Sequence, residues 1–156
     1  MATLNINANE TRIAKLRWYL FEIVDSLLIG KDYQINADML ANDINNYSLD
    51  KIPTSSTVEV WITGTEIHRD VFSFRSRNAY SQDTINNLKN IGFFESFEKK
   101  IKDNNDKKIL PDITGIKSIE CLNTGTMNNA GTSTAEFDIQ IQITYSIEQS
   151  FDEISL

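Results

Sequence analysis

The side chains able to do chemistry are few and widely spaced. The chain holds one histidine, His68, and one cysteine, Cys121. His68 could act as a general base if an acid oriented it and a nucleophile lay within reach. Asp70, two residues on along the same strand face, is the candidate acid. The competing role is that of a strand histidine facing a core edge or a partner subunit. Cys121 falls mid-strand, where a small buried thiol is the more usual occupant than a nucleophile. A single cysteine excludes an internal disulfide framework, and one Cys with one His excludes the usual Cys/His zinc sites. Asp103 and Asp106 could face a cation, but their spacing matches no dedicated loop, and a solvated turn is the better reading. Arg69, Arg75 and Arg77 cluster near one end of an expected hairpin. They are too few for a nucleic-acid surface and read as ion-pair partners, within the chain or across a subunit boundary. There is no GxGxxG, GxxxxGK[ST], HExxH or GxSxG pattern. The expectation is a protein that is not an enzyme and carries no cofactor or metal.

The elements that would position these groups follow from composition and periodicity. The chain has 156 residues, 40% hydrophobic and 24% charged. That length suits one domain, residues 1–156, with a core over about 10–147 and a loose acidic tail over 148–156. The net charge is −7, which argues against a grip on phosphates. No apolar run reaches the ~20 residues of a membrane span. The segment MATLNINANE lacks a basic-then-apolar secretion pattern, so cytoplasmic synthesis is expected.

Residues 10–29 place Ile13, Leu16, Leu20, Ile23, Val24 and Leu27 at helical spacing, with Asn9 as a cap and Gly30 at the C-terminal end. Trp18 and Phe21 widen that face and read as a deeper core contact, with a subunit interface as the alternative. Residues 31–54 read as a long connection with an extended piece at 47–52, closed by Pro53. Residues 57–63 and 67–76 alternate on either side of Gly64 and predict a hairpin. Residues 78–103 predict helix, bent at Gly92. Residues 113–124 predict a strand, and 123–134 a polar glycine-containing loop. The clearest pattern is Ala135–Ile147, where Ala135, Phe137, Ile139, Ile141, Ile143, Tyr145 and Ile147 alternate with polar residues. Together these predict an α+β domain: an antiparallel or mixed sheet built from two hairpins, with helices packed on one face.

One stretch is more specific. Residues 46–97 carry Tyr47, Ser48 and Pro53, then Phe72, Phe74, Ser76, Arg77 and Tyr80, then Asn90, Gly92, Phe93, Phe94, Glu95 and Phe97. This arrangement resembles a family of short phage proteins encoded among the head–tail joining genes of phages and prophages of low-GC Gram-positive bacteria. With INADML upstream and LPDITGIKSIECLNTGT downstream, the resemblance covers about residues 10–147. It implies a tail terminator, or tail-completion protein of the neck. Such a protein forms a six-membered ring at the head-proximal end of the tail tube, stops tube growth and meets the head connector. The implied partners are further copies of the chain, the tail tube protein and the connector or stopper protein. DNA passes through the lumen without specific binding, no membrane is involved, and the location is the virion neck. TGTE stands where the hairpin turn is often glycine-rich, and Gln82 departs from the family's small residues, which touches loop geometry rather than architecture.

Physical features agree with a ring. Six copies at −7 each sum to −42, and a negative lumen lets DNA slide. A long strand can extend its sheet across a subunit boundary. Arg75, Arg77, Tyr80 and Trp61 are candidates for subunit contact, with an intrachain anchor as the alternative for Arg75, Arg77 and Tyr80. Thr124, Gly125, Thr126, Met127, Asn128, Asn129 and Gly131 form a candidate loop toward the tube or lumen. Two other readings stand beside this one. One is a head-completion or stopper protein of the same neck. The other is a small-molecule-binding α+β module with a pocket lined by Phe72, Phe74, Phe93 and Phe97.

Overall fold

In the computed structural model, the described residues are 5–27, 34–37, 40, 46–54, 57–79, 84–130 and 134–148. A single 3-10 turn at Ala8–Glu10 leads into helix α1, Arg12–Leu27. Strands β1 (Gln34–Ala37), β2 (Asn46–Ile52), β3 (Thr57–Val60) and β4 (Glu66–Ala79) follow. Helix α2 spans Thr84–Asp106 and precedes β5 (Ile116–Cys121), β6 (Thr126–Ala130) and β7 (Thr134–Ile147). The molecule is α+β, a mixed seven-stranded sheet with two helices.

The sheet is organised on a ribbon of two 14-residue strands, β4 and β7, paired antiparallel from Glu66↔Ile147 to Ala79↔Thr134. Each outer edge of the ribbon carries two shorter strands end to end. On the β4 side, β2 pairs with residues 71–77 and β3 with residues 66–68. On the β7 side, β5 pairs with residues 141–145 and β6 with residues 135–138. β1 lies parallel to β2 at the margin.

Alternation sorts the ribbon's side chains. Asp70, Phe72, Phe74, Ser76 and Asn78 on β4 face the core together with Ala135, Phe137, Ile139, Ile141, Ile143 and Tyr145 on β7. Leu16, Leu20 and Val24 of α1 and Phe94, Phe97 and Ile101 of α2 close over that face in one continuous core. Phe74 stacks on Tyr47 at 5.4 Å and on Phe97 at 5.1 Å. The other face of the ribbon presents Ser73, Arg75, Arg77, Glu136, Asp138, Gln140 and Gln142. A strand with period-2 alternation buries one face and leaves the other polar.

Several sequence expectations are corrected. Thr11, not Asn9, caps α1: its Oγ1 accepts from Ala14 N–H at 3.2 Å, while Asn7 caps the preceding 3-10 turn. Gly30 lies outside the described residues. Gly92 does not divide the helix: α2 runs through it unbroken. A mid-helix glycine costs only about 1 kcal/mol against alanine, and packing of Phe94, Phe97 and Ile101 outweighs that. The connection over 31–54 contains β1 as well as β2. The loop over 123–134 contains β6, so the second expected hairpin is a three-strand arrangement. Trp18 is no core residue: it is 63% exposed and leans on Phe21 at 5.4 Å.

Candidate functional site

Apolar surface without a partner is the most distinctive feature of this acidic chain, and it concentrates on the β3–β4 hairpin. All four residues of β3 are exposed. Val58, Val60 and Trp61 are 52%, 62% and 43% exposed, and Ile62 at the tip is fully exposed. The turn is tight. Trp61 N–H donates to Thr65 O at 2.8 Å and Gly64 N–H to Trp61 O at 2.9 Å. Gly64 takes φ +88°, which glycine adopts without steric cost. Trp61 Nε1 donates to Glu59 Oε1 at 2.9 Å, and Lys117 Nζ lies 5.6 Å from the Trp61 ring centre. These contacts hold the indole in place while leaving much of it open.

β3 is also an edge strand whose only partner among the described residues is β4. Natural edges are usually blunted by charge, proline or a covering group. β5 is blunted in that sense, because Asn105 Oδ1 accepts from Ile119 N–H at 3.0 Å. β3 is itself partly blunted, being four residues long with a β-bulge between Thr57 and Glu59 and one charged residue, Glu59; what lies open is its apolar side-chain surface.

The candidate residues of the sequence divide among different environments. Trp61 lies on the exposed hairpin. Arg75 and Arg77 stand on the helix-free face of the ribbon, and their charges are met within the chain. Arg75 Nε donates to Asp50 Oδ2. An Arg77 terminal nitrogen donates to Glu136 Oε1 at 2.7 Å. Tyr80 and Gly131 lie outside the described residues. Thr124 precedes β6, and Thr126, Met127, Asn128 and Asn129 belong to it. Gly125 is packed rather than free. Its N–H donates to Glu98 Oε1 at 3.0 Å, and a Cβ there would lie 2.4 Å from the Phe94 ring. That segment is therefore a paired strand, not an open loop, although Met127 is 49% exposed. The alternation of Val58, Val60 and Ile62 was legible as a strand over 57–63; that the strand stops at Val60, that Trp61 and Ile62 stand exposed in the turn and that both faces of β3 lie open was not.

The groups considered for catalysis do not converge. His68 Nε2 lies 2.9 Å from Glu66 Oε2, and its ring stacks on Tyr145 at 5.7 Å. Asp70 is 2% exposed and turned elsewhere. It accepts from Arg12 Nε at 2.9 Å and from Tyr145 Oη at 3.3 Å, with Lys51 Nζ at 3.8 Å. Burial and the neighbouring Asp70 raise the Tyr145 phenol above its ordinary pKa. Burial pushes the Cys121 thiol up to about 12, helped by Glu98 and Glu120. A thiol held there supplies almost no thiolate at neutral pH. Asp103 and Asp106 pair with Lys99 and Lys102 at 3.4 and 3.3 Å, one helical turn away. Among the described residues no group of three or more His, Cys, Asp or Glu side chains could hold a metal ion.

Two surface clefts lie among the described residues and bear on the candidate groups. One, of about 780 Å³, lies between the start of α1, residues 112–115 and the end of β7. Its cations are already engaged: Arg12 by Asp70 at 2.9 Å, Lys15 by Asp112 at 3.4 Å and Glu10 at 3.7 Å. The other, of about 480 Å³, runs between α2 and β5 over Ile101, Ile119, Cys121 and Leu122. Neither is lined by Phe72, Phe74, Phe93 or Phe97. Phe72, Phe74 and Phe97 are at most 1% exposed and packed in the core, and Phe93 is partly buried against it. No helix among the described residues is long and apolar enough to cross a membrane. Compared with known proteins, the chain matches no protein-family model and no curated protein.

Proposed function

We propose that the chain is a non-enzymatic assembly protein of the phage neck: a tail terminator. In this reading it forms a ring, six-membered by the family resemblance, at the head-proximal end of the tail tube. The ring stops tube growth and meets the head connector.

The observation that carries the reading is the exposed apolar hairpin on an otherwise acidic molecule. Water-exposed Val, Trp and Ile side chains on an edge strand are a cost unless another surface covers them. The ribbon gives the hairpin a stiff base, since β4 runs continuously from the turn to the far end of the sheet. The groups considered for catalysis or cation binding, His68, Asp70, Asp103 and Asp106, are engaged in ion pairs and hydrogen bonds within the chain, which suits a scaffold. A net charge of −7 per copy suits a passage that DNA crosses without sticking.

The test is location. In negatively stained particles of the encoding phage, gold-labelled antibody against the chain marks the junction of head and tail tube. Label on the capsid surface, at the distal tail tip, or absent from particles contradicts the proposal.

A further inference from the structure

We propose that, off the virion, two copies pair through their β3–β4 hairpins about a two-fold axis, Trp61 against Trp61 and each Glu59 against the other copy's Lys117. The inference goes beyond the neck reading and stands or falls without it.

The patch is suited to meet itself. Its apolar part is Val58, Val60, Trp61 and Ile62. Two charges border it, and both touch the same indole. Glu59 Oε1 accepts from Trp61 Nε1 at 2.9 Å, and Lys117 Nζ lies 5.6 Å from the ring centre. Glu59 belongs to β3 and Lys117 to the bulge at the start of β5, so the two reach the ring from different strands of one copy. Both side chains are exposed, and neither joins an ion pair among the described residues. A surface with an apolar middle, one carboxylate and one ammonium is self-complementary under a two-fold axis. Each charge then finds its opposite on the second copy, and no separate recess is needed.

Net charge selects this patch for the contact. Each copy carries −7, so two copies repel except where the facing surfaces are neutral. Glu59 and Lys117 cancel, and residues 60–65 of the hairpin carry no charge. Two crossed Glu59–Lys117 pairs also set the register of the two hairpins.

The same features limit the strength of the pair. β3 is short and bulged, so backbone ladder bonds contribute little and side chains carry the contact. Four apolar side chains fall short of the ~800 Å² that each partner gives to a stable interface. The pair is therefore reversible, and it covers the hairpin until a stronger partner displaces it.

The test is charge reversal in the full chain, with particle mass read by sedimentation over a concentration series. The wild type should run as a reversible mixture of monomer and dimer. Glu59→Lys and Lys117→Glu each turn two attractions between copies into two repulsions. Each should weaken the dimer on the order of tenfold or more. Mixed in equal amounts, these two variants should pair with each other, because every carboxylate then faces an ammonium. Ile62→Asp should remove the dimer with an unchanged melting temperature, because that side chain is fully exposed in the single copy. A chain that is monomeric at every concentration overturns the inference. A dimer that ignores both reversals overturns it too. Reversals that dissolve the dimer without rescue in the mixture overturn it in favour of contact with a different surface. None of these results moves the label at the junction of head and tail, which decides the neck reading separately.

Discussion

Replacing Gly115 by alanine probes the corner where β5 meets the end of β7. Gly115 has φ +76°, and a Cβ there would lie 2.2 Å from the backbone oxygen of Ser146. Contacts under 3.0 Å are essentially never made by real Cβ atoms, so the corner must open. Opening it strains the bond from Ser146 N–H to Gly115 O, now 2.9 Å. The left-handed conformation costs alanine about 1–2 kcal/mol. A lost hydrogen bond adds about 1 kcal/mol. Reduced freedom of the unfolded chain returns about 0.4–1 kcal/mol. The net loss is about 2 kcal/mol, a fall in melting temperature of roughly 4–8 °C for a domain this size. Gly92→Ala is the matched control. A Cβ there meets nothing within 4 Å, and the helix runs through it. It should stabilise by about 0.5–1 kcal/mol. Urea unfolding of both variants beside the wild type measures the pair. Equal stability of Gly115→Ala and wild type refutes the corner geometry. Destabilisation by Gly92→Ala would mean that α2 is bent at that residue.

Three further outcomes follow from the same geometry. Cys121 should resist iodoacetamide at pH 8 in the folded protein and react at once in urea. Because the unfolded thiol ionises near 9.0 and the folded one at about 12, the stability it contributes is whole below pH 9 and is lost as pH rises toward 12; a rise in stability over that range would contradict the burial. Asp70→Ala strips the partner from Arg12 and from Tyr145 Oη and, because Arg12 stays 46% exposed to water, should cost about 2 kcal/mol in urea unfolding. Arg77→Gln should cost about 1 kcal/mol through its pair with Glu136 and leave particle mass unchanged, whereas a change in assembly would return Arg77 to the subunit interface.

The architecture was legible where one physical rule dominated. The period-2 run of residues 135–147 fixed β7 and its buried face, and the 3.6-residue spacing of Leu16, Leu20, Ile23 and Val24 fixed the face of α1. It was obscure where rules conflicted. Gly92 signals a break, yet the helix runs on through it into the packed aromatics Phe93, Phe94 and Phe97 that follow. The segment TMNNA has strand-poor composition, and only pairing with β7 makes it a strand. The polar half of β4 hid its length, because Asp70, Ser76 and Asn78 are buried through hydrogen bonds rather than apolarity. At the candidate site, Trp61 was a candidate for subunit contact on the hairpin, but its exposure was not legible because the alternation placed it inside a strand. Arg75 and Arg77 were not separable from interface residues, because their partners Asp50 and Glu136 are distant in sequence. The groove over Ile101, Ile119 and Leu122 had no sequence signature, since two elements must meet to make it.

Tail length tests the central claim most directly. With the gene deleted from the encoding phage, the lysate is imaged in negative stain and free tails are measured. The account predicts filled heads beside unattached tails of uncontrolled length, with uniform length restored by the wild-type chain supplied in trans. Leaking heads beside tails of normal length would place the protein on the head side of the joint, and intact infectious particles would remove it from the neck.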